Sequence, residues 1–308
     1  MNSQTNALPE SFDARAVAPS VLSRTQPFYW SVRRELWENR FIYLAPIAVG
    51  ALFLVGFVIH TAIARRHSGL SLPHLIHYEN ALMTAYQFAA ALIMGTSIIV
   101  AVFYCLDALY GERRDRSILF WKSVPVSDLT TVLSKITVPL LILPVVSFVV
   151  TVAAQFVVLL LAAAMLLGSG SGFGALATQP SFLHMSVVWL YHIVTVHGLW
   201  YAPIYGWLIF VSAWAPRAPF MWAFLPPFVA VGLEKITFNT THFLALIQYR
   251  LAGPQNAGQM GPASQGMDLT AQLVPHHFFT TPGLWTGVFV GAALLYAAVR
   301  IRRYRGPI

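Results

Sequence analysis

The stretch FIYLAPIAVGALFLVGFVIHTAI, residues 41–63, contains no charged side chain. A helix rises 1.5 Å per residue, so this run reaches ~35 Å and crosses the ~30 Å hydrocarbon core of a bilayer. Working outward, five further apolar runs follow, at 82–106, 136–167, 187–214, 218–233 and 283–299. The third is longer than a crossing needs, so it tilts or extends past the core. Pro139 and Pro144 are placed to kink it. The fifth is short and is interrupted by Pro226 and Pro227. The sequence thus predicts an all-α integral membrane protein with six transmembrane helices.

Composition agrees. Of 308 residues, 57% are hydrophobic and 10% charged, against about 25% charged in an ordinary soluble domain. Too few charges remain to cover a water-facing surface. The net charge of +8 would suggest nucleic acid in a soluble protein. Here the charges cluster in short segments between apolar runs, the pattern of membrane topology, and no nucleic-acid partner is expected. A single cysteine, Cys105, rules out an internal disulfide and reads as a small buried hydrophobe. Residues 1–27 hold three prolines and no compact apolar core, so no cleavable signal peptide is expected there.

Lysine and arginine orient the chain. Arg15, Arg24, Arg33, Arg34 and Arg40 precede the first run, and Arg113, Arg114, Arg116, Lys122 and Lys135 fill the second connection. Arg217 lies in the fourth, and Arg300, Arg302, Arg303 and Arg305 in the tail. Only Arg65, Arg66, Lys235 and Arg250 fall on the other side. The positive-inside rule places the larger group, with both termini, in the cytoplasm. Six crossings satisfy that bias, and an odd number would send the basic tail outside. The predicted organisation is a segment 1–40, a six-span domain 41–300 and a basic tail 301–308.

Residues 26–40 read as an amphipathic helix. Phe28, Tyr29, Val32 and Leu36 share one arc, Trp30 and Trp37 flank it, and Arg34, Glu35 and Glu38 lie opposite. This suits a helix lying in the membrane interface, the alternative being a helix free in water. Gly168–Gly174 reads as a flexible turn, because it lacks the Lys-Ser/Thr ending of a phosphate-binding loop. Residues 234–282 form the longest outer connection. Helical patterning is expected over 241–251 and loop over 253–266. The short apolar piece 269–279 suggests a re-entrant or surface helix before the last span.

The most informative segment is residues 104–135, YCLDALYGERRDRSILFWKSVPVSDLTTVLSK. Glu112, Arg113, Arg114, Asp115 and Arg116 form a charge cluster, and Ser117 to Ser123, with Phe120, Trp121 and Lys122, an apolar-aromatic patch. Pro125 closes the patch and Ser127 caps the next helix. Two readings stand: an interfacial loop whose aromatics dip into lipid, or a docking helix whose apolar anchors fill a groove on a partner.

The run from Glu112 to Asp128, followed by Lys135, resembles the first cytoplasmic loop of ABC-transporter permeases of the ABC-2 exporter type. Glu112, Pro125, Val126, Ser127 and Lys135 match by position. The family has Gly-Thr where this chain has Arg116-Ser117. The resemblance implies that this loop is the coupling helix docking an ATP-binding subunit, with Glu112, Phe120 and Trp121 carrying much of the contact. It also implies a complex of two permease halves, as a dimer of this chain or a pair with a close relative, and two ATPase subunits in the bacterial inner membrane. ATP and Mg would sit on the partner, since this chain has no phosphate-binding motif. The chain itself is then not an enzyme but the permease of an exporter for a hydrophobic or amphiphilic substrate.

Polar side chains inside the runs are His60, Gln87, Asp107, Gln155, His192 and His197. Each is costly in hydrocarbon. Asp107 is expected to pair with Arg113 or Lys135. Gln87, Gln155 and His192 either hydrogen-bond between helices or line a substrate path. His192 and His197 lie about 140° apart on a helix, too far to share a metal. His67, His74, His77, His276 and His277 lack enough companion ligands, so no metal site is expected. Glu234 and Lys235 read as interface anchors. A secondary transporter would show internal repeats and mid-membrane charge relays, and neither is visible. A membrane scaffold is the other alternative.

Overall fold

The computed structural model describes residues 25–67, 74–167, 186–187, 190–191, 193–252 and 279–308. All regular structure among them is helical. An entry helix, α1 (Gln26–Glu38), is followed by α2 (Phe41–His67) and α3 (His74–Ala108). Two short helices, α4 (Tyr110–Arg114) and α5 (Ser117–Ser123), lead into α6 (Asp128–Thr137). A π-helical segment, Val138–Ile142, joins α6 to α7 (Leu143–Leu167). A second π-helical segment, Ile193–Trp200, precedes α8 (Ala202–Trp214), then come α9 (Pro219–Phe238), α10 (His242–Ala252) and α11 (Pro282–Tyr304).

Five of these helical stretches are long and apolar enough to cross a membrane: 41–63, 82–114, 128–164, 219–238 and 282–304. Their outward faces carry Leu52, Val55 and Ile59 on α2, Phe88, Ile99 and Phe103 on α3, and Phe156 and Leu160 on α7, all exposed. Apolar surface this continuous is matched to lipid, where every backbone polar group must be paired within the helix. The chain is a multi-pass helical membrane protein.

The expected span at 187–214 is not one long helix. Within the described residues it consists of the π-helical segment and α8, parted at Tyr201. Pro203 sits in the first turn of α8, where a missing N–H and a fixed φ suit a helix start and not a helix interior. The third span begins eight residues early, at Asp128, and Pro139 falls in the first π-helical segment. A wider turn there makes room for a ring that would otherwise strike the carbonyl four residues back. Pro226 and Pro227 do not end α9, which runs on to Phe238.

The core lies where α3, α6, α8 and α11 converge, around Cys105, Leu109, Val132, Ile209 and Ala298. The tightest pairing joins α8 to α11. A Cβ on Gly206 would stand 3.0 Å from the Gly291 carbonyl oxygen, so the two backbones meet at glycines.

The helix expected over 241–251 is α10. Glu234 is its cap: the carboxylate accepts from Thr240 Oγ1 at 2.7 Å and from the backbone N–H of His242 and Phe243 at 2.7 and 2.8 Å. A negative charge at a helix N-terminus satisfies unpaired donors, which is more than the anchoring role read from sequence. Arg250 of α10 covers the Trp200 ring at 4.5 Å and donates to the Gly283 carbonyl at 2.7 Å. Residues 1–24, the glycine-rich 168–174, the loop 253–266 and most of 269–279 lie outside the described residues, as do His192, His276 and His277. The side chains of His67, His74, His77 and His197 lie outside them too.

Candidate functional site

The 104–135 segment forms the polar end of the bundle. α3 stops at Ala108 because the N–H groups of Leu109 and Tyr110 turn to Ser212 Oγ, at 3.0 and 2.9 Å. α4 then turns Arg113 inward, where it donates to the carbonyls of Ala213 at 2.7 Å and Ala215 at 3.1 Å, capping α8. Arg113 is thereby unavailable to Asp107. Asp107 lies 3.7 Å from Arg114 instead, and Arg114 also holds Asp115 at 2.9 Å, all three exposed.

Between α4 and α5, Arg116 has φ 59° and ψ 6°, the left-handed region that favours glycine. Arg116→Gly is therefore expected to stabilise the fold, by about 1 kcal/mol. A rise in the thermal unfolding midpoint of the detergent-purified protein would check it.

On α5, Ile118 is buried, whereas Leu119 and Phe120 are 59% and 62% exposed. Trp121 turns back, edge-on to Phe120 at 4.9 Å and beneath the Arg34 guanidinium at 3.7 Å. Lys122 Nζ donates to the Arg305 carbonyl at 3.1 Å, joining α5 to the tail. Pro125 is exposed, and Ser127 Oγ accepts the N–H of Thr130 at 3.0 Å, the expected cap of α6.

Behind α5 lies a buried network of charge. Glu35 of α1, only 1% exposed, meets Lys135 Nζ at 2.9 Å and Arg34 at 2.7 Å. Tyr104 Oη donates to its other oxygen at 2.9 Å. Glu112 meets Lys135 at 3.1 Å and Arg34 at 3.2 Å, and it pairs with Arg302 of α11. Arg302 also holds Asp128 at 3.1 Å. At the rim, half-exposed Glu38 lies 3.5 Å from Arg34, so four carboxylates face three cations. Burial raises the Glu35 carboxyl, but the attraction of Lys135 and Arg34 outweighs it and holds the group below the ordinary carboxylate value.

The network corrects one expectation. The charged arc of α1 was expected to face water, yet Glu35 is the buried residue of that helix. Of the apolar arc and its flank, Phe28, Tyr29, Trp30 and Trp37 are exposed, as a helix in the membrane interface requires, while Val32 and Leu36 are half-buried and Leu36 packs on the core. α1 therefore gives its aromatic side to the surroundings and its polar side to α6, against which it packs. Glu112 likewise is turned inward, so the outward face of the loop is carried by Leu119 and Phe120. Beside the network opens a cleft of about 350 Å³, lined by Glu38, Tyr104, Asp107, Asp115, Ser117 and Trp121 among others.

The loop residues singled out from sequence are thus brought together, at one end of the bundle. Gln87, half-buried on α3, and Gln155, buried on α7, lie away from it within the spans. His60 is exposed on α2. Among the described residues no cluster of His, Cys, Asp or Glu is arranged to hold a metal. Sequence reasoning missed Arg34, Glu35, Tyr104 and Arg302 as members of the network. Only Glu35 gave a signal, as an acid three residues from Glu38 on a helix beside a basic loop. No family model, curated protein or solved structure matches this chain. What the molecule itself establishes is a multi-pass membrane bundle with an ordered, charge-stitched loop at one end.

Proposed function

We propose that this chain is the membrane-spanning half of an ATP-driven exporter of the ABC-2 type, worked by a separate ATP-binding subunit docked on α5. The observation that carries the reading is the pair Leu119 and Phe120, both largely exposed. They stand beside charged Arg114, Asp115 and Lys122 on the surface, which supports an aqueous partner over hydrocarbon. Apolar anchors rimmed by charge suit helix-in-groove docking. The resemblance of 112–128 to the family's coupling loop supports the same reading, and the family's glycine falls where Arg116 holds a left-handed backbone.

In this reading the second π-helical segment and α8 make the sixth crossing, and both termini face the bacterial cytoplasm. A second permease half, a copy of this chain, packs alongside. α2 and α9 bury little of their surface within one chain and offer faces for it. Two ATP-binding subunits carry the ATP and Mg, and Gln87, Gln155 and His192 line the path of an amphiphilic cargo.

Nucleotide shifts the complex only if it binds one conformation better than another. Closing of the ATP-binding subunits displaces α5. Trp121 presses on Arg34, and the charge network ties α1, α4, α6 and α11 into one body. A push on α5 therefore reaches the span that continues from α6 and the last span together.

The chain, affinity-purified from its native membranes, is expected to carry ATPase activity with it. The double variant Leu119→Ser/Phe120→Asp is expected to lose more than about 90% of it, with thermal stability unchanged because neither side chain is buried. A wild-type preparation free of ATPase, or a variant that keeps it, overturns the reading. A secondary transporter or a scaffold would have no ATPase to retain.

A further inference from the structure

Ser147, Thr151 and Gln155 stand four residues apart on α7. That spacing keeps them within an arc of about 80° and spreads them over about 12 Å of the helix. All three are 1% exposed. Ser147 is satisfied, donating to the Leu143 carbonyl at 2.7 Å and meeting Ser97 Oγ at 2.5 Å. Thr151 Oγ1 and both polar atoms of Gln155 have no hydrogen-bond partner.

This departs from the rest of the bundle. Thr96, Ser97, Thr137 and Ser147 each bond back to the carbonyl four residues earlier. Thr151 does not, and a glutamine amide has no such outlet. In hydrocarbon each unpaired group is costly, because no water is there to satisfy it. Two successive side chains on one stripe are therefore left able to bind something polar.

Neighbouring contacts locate the stripe. Phe148 packs against Ala90, Met94 and Ile193, and Val158 against Leu82 and Tyr86. Gln155 lies between them, on the face turned to α3. The π-helical segment Ile193–Trp200 borders α7 and touches the other such segment, with the Gly198 Cβ position 3.4 Å from the Leu140 carbonyl. π turns concentrate at functional positions in helices. Among the described residues the buried charged side chains, Glu35, Glu112, Arg113, Lys135 and Arg302, all belong to the α4–α6 end.

We propose that Thr151 and Gln155 bind the uncharged hydrogen-bonding head, an amide or a hydroxyl, of an amphiphile that enters between α7 and α3. Gln155 offers one acceptor and two donors, and Thr151 one of each kind, which complements an amide. A permanently charged head would enter with no counter-charge at that depth and is excluded. That the bound amphiphile is cargo rests on the permease reading. The binding itself does not.

The test uses the purified chain in phosphatidylcholine nanodiscs with no ATP-binding subunit, so its outcome is separate from the ATPase result. Decanamide, decyl sulfate and decyltrimethylammonium are titrated against the thermal unfolding midpoint. Decanamide is expected to raise the midpoint saturably, and the charged probes to need at least ten-fold higher concentration. Gln155→Leu, which keeps the volume, is expected to weaken decanamide ten-fold or more. Equal decanamide affinity in wild type and variant, or equal affinity for a charged probe, overturns the proposal. If the variant does not fold, a diazirine-bearing decanamide is photolysed on wild type. Labelling within 143–167 that excess decanamide competes away supports the site, and labelling confined elsewhere overturns it.

Discussion

Lys135→Met is expected to cost about 3–5 kcal/mol of stability, the usual result of removing one partner from a buried ion pair. Lys135 Nζ stands 2.9 Å from Glu35 and 3.1 Å from Glu112, and its removal leaves the buried carboxylates one positive charge short, with only Arg34 and Arg302 to face them. The loss is read as a fall in the unfolding midpoint in detergent micelles. Adding Glu35→Gln to Lys135→Met is expected to recover part of it, because the excess buried negative charge goes too. A double-mutant cycle without coupling would deny that the two residues act as a pair.

The same network sets an acid limb. The Glu35 carboxyl is held below its ordinary value of 4.5, so the folded state binds that proton less readily than the unfolded state. Its contribution is whole above pH 4.5 and is lost as pH falls through the depressed folded value. Glu35→Gln should flatten that part of the stability curve. An unchanged acid limb in the variant would assign the effect to other carboxylates.

Gly206→Leu is the other large expected effect. The contact it faces is backbone: the Gly291 carbonyl oxygen lies 3.0 Å and its Cα 3.2 Å from the position a Cβ would take. No side chain can rotate away, so α8 and α11 must separate. Overpacking of this kind costs about 3 kcal/mol or more for a large side chain. Gly206→Ala should cost less, because alanine recovers about 1 kcal/mol of helix propensity against the two tight backbone contacts its Cβ makes. Near-native stability of the leucine variant would mean that the two helices do not meet at these glycines.

Much of the fold was legible in the sequence, and the apolar runs explain why. Length and hydropathy in hydrocarbon leave a segment few choices besides a helix, so the runs at 41–63, 82–106 and 283–299 appear within longer helices. The run at 187–214 was less legible. Its composition suits a span, but Pro203 and the wide turns before it are a matter of backbone hydrogen bonding, which hydropathy does not weigh. The loop was legible as a unit: Ser127 caps α6, and Ser117 to Ser123 is a helix. Which loop residues face outward was not, because Glu112 and Trp121 turn inward to partners on α1 that lie far away in the sequence.

Residue order alone determined that this chain lives in a bilayer, that its apolar runs are helical, and that one charged aromatic loop stands apart from them. Tertiary structure alone decided that Glu35, Glu112, Lys135 and Arg302 meet, and that Thr151 and Gln155 do not find partners. The physical reason is range. Burial in lipid is a property of a segment and its own side chains, whereas the pairing of buried charges depends on which distant helices the packing brings within about 3 Å of each other.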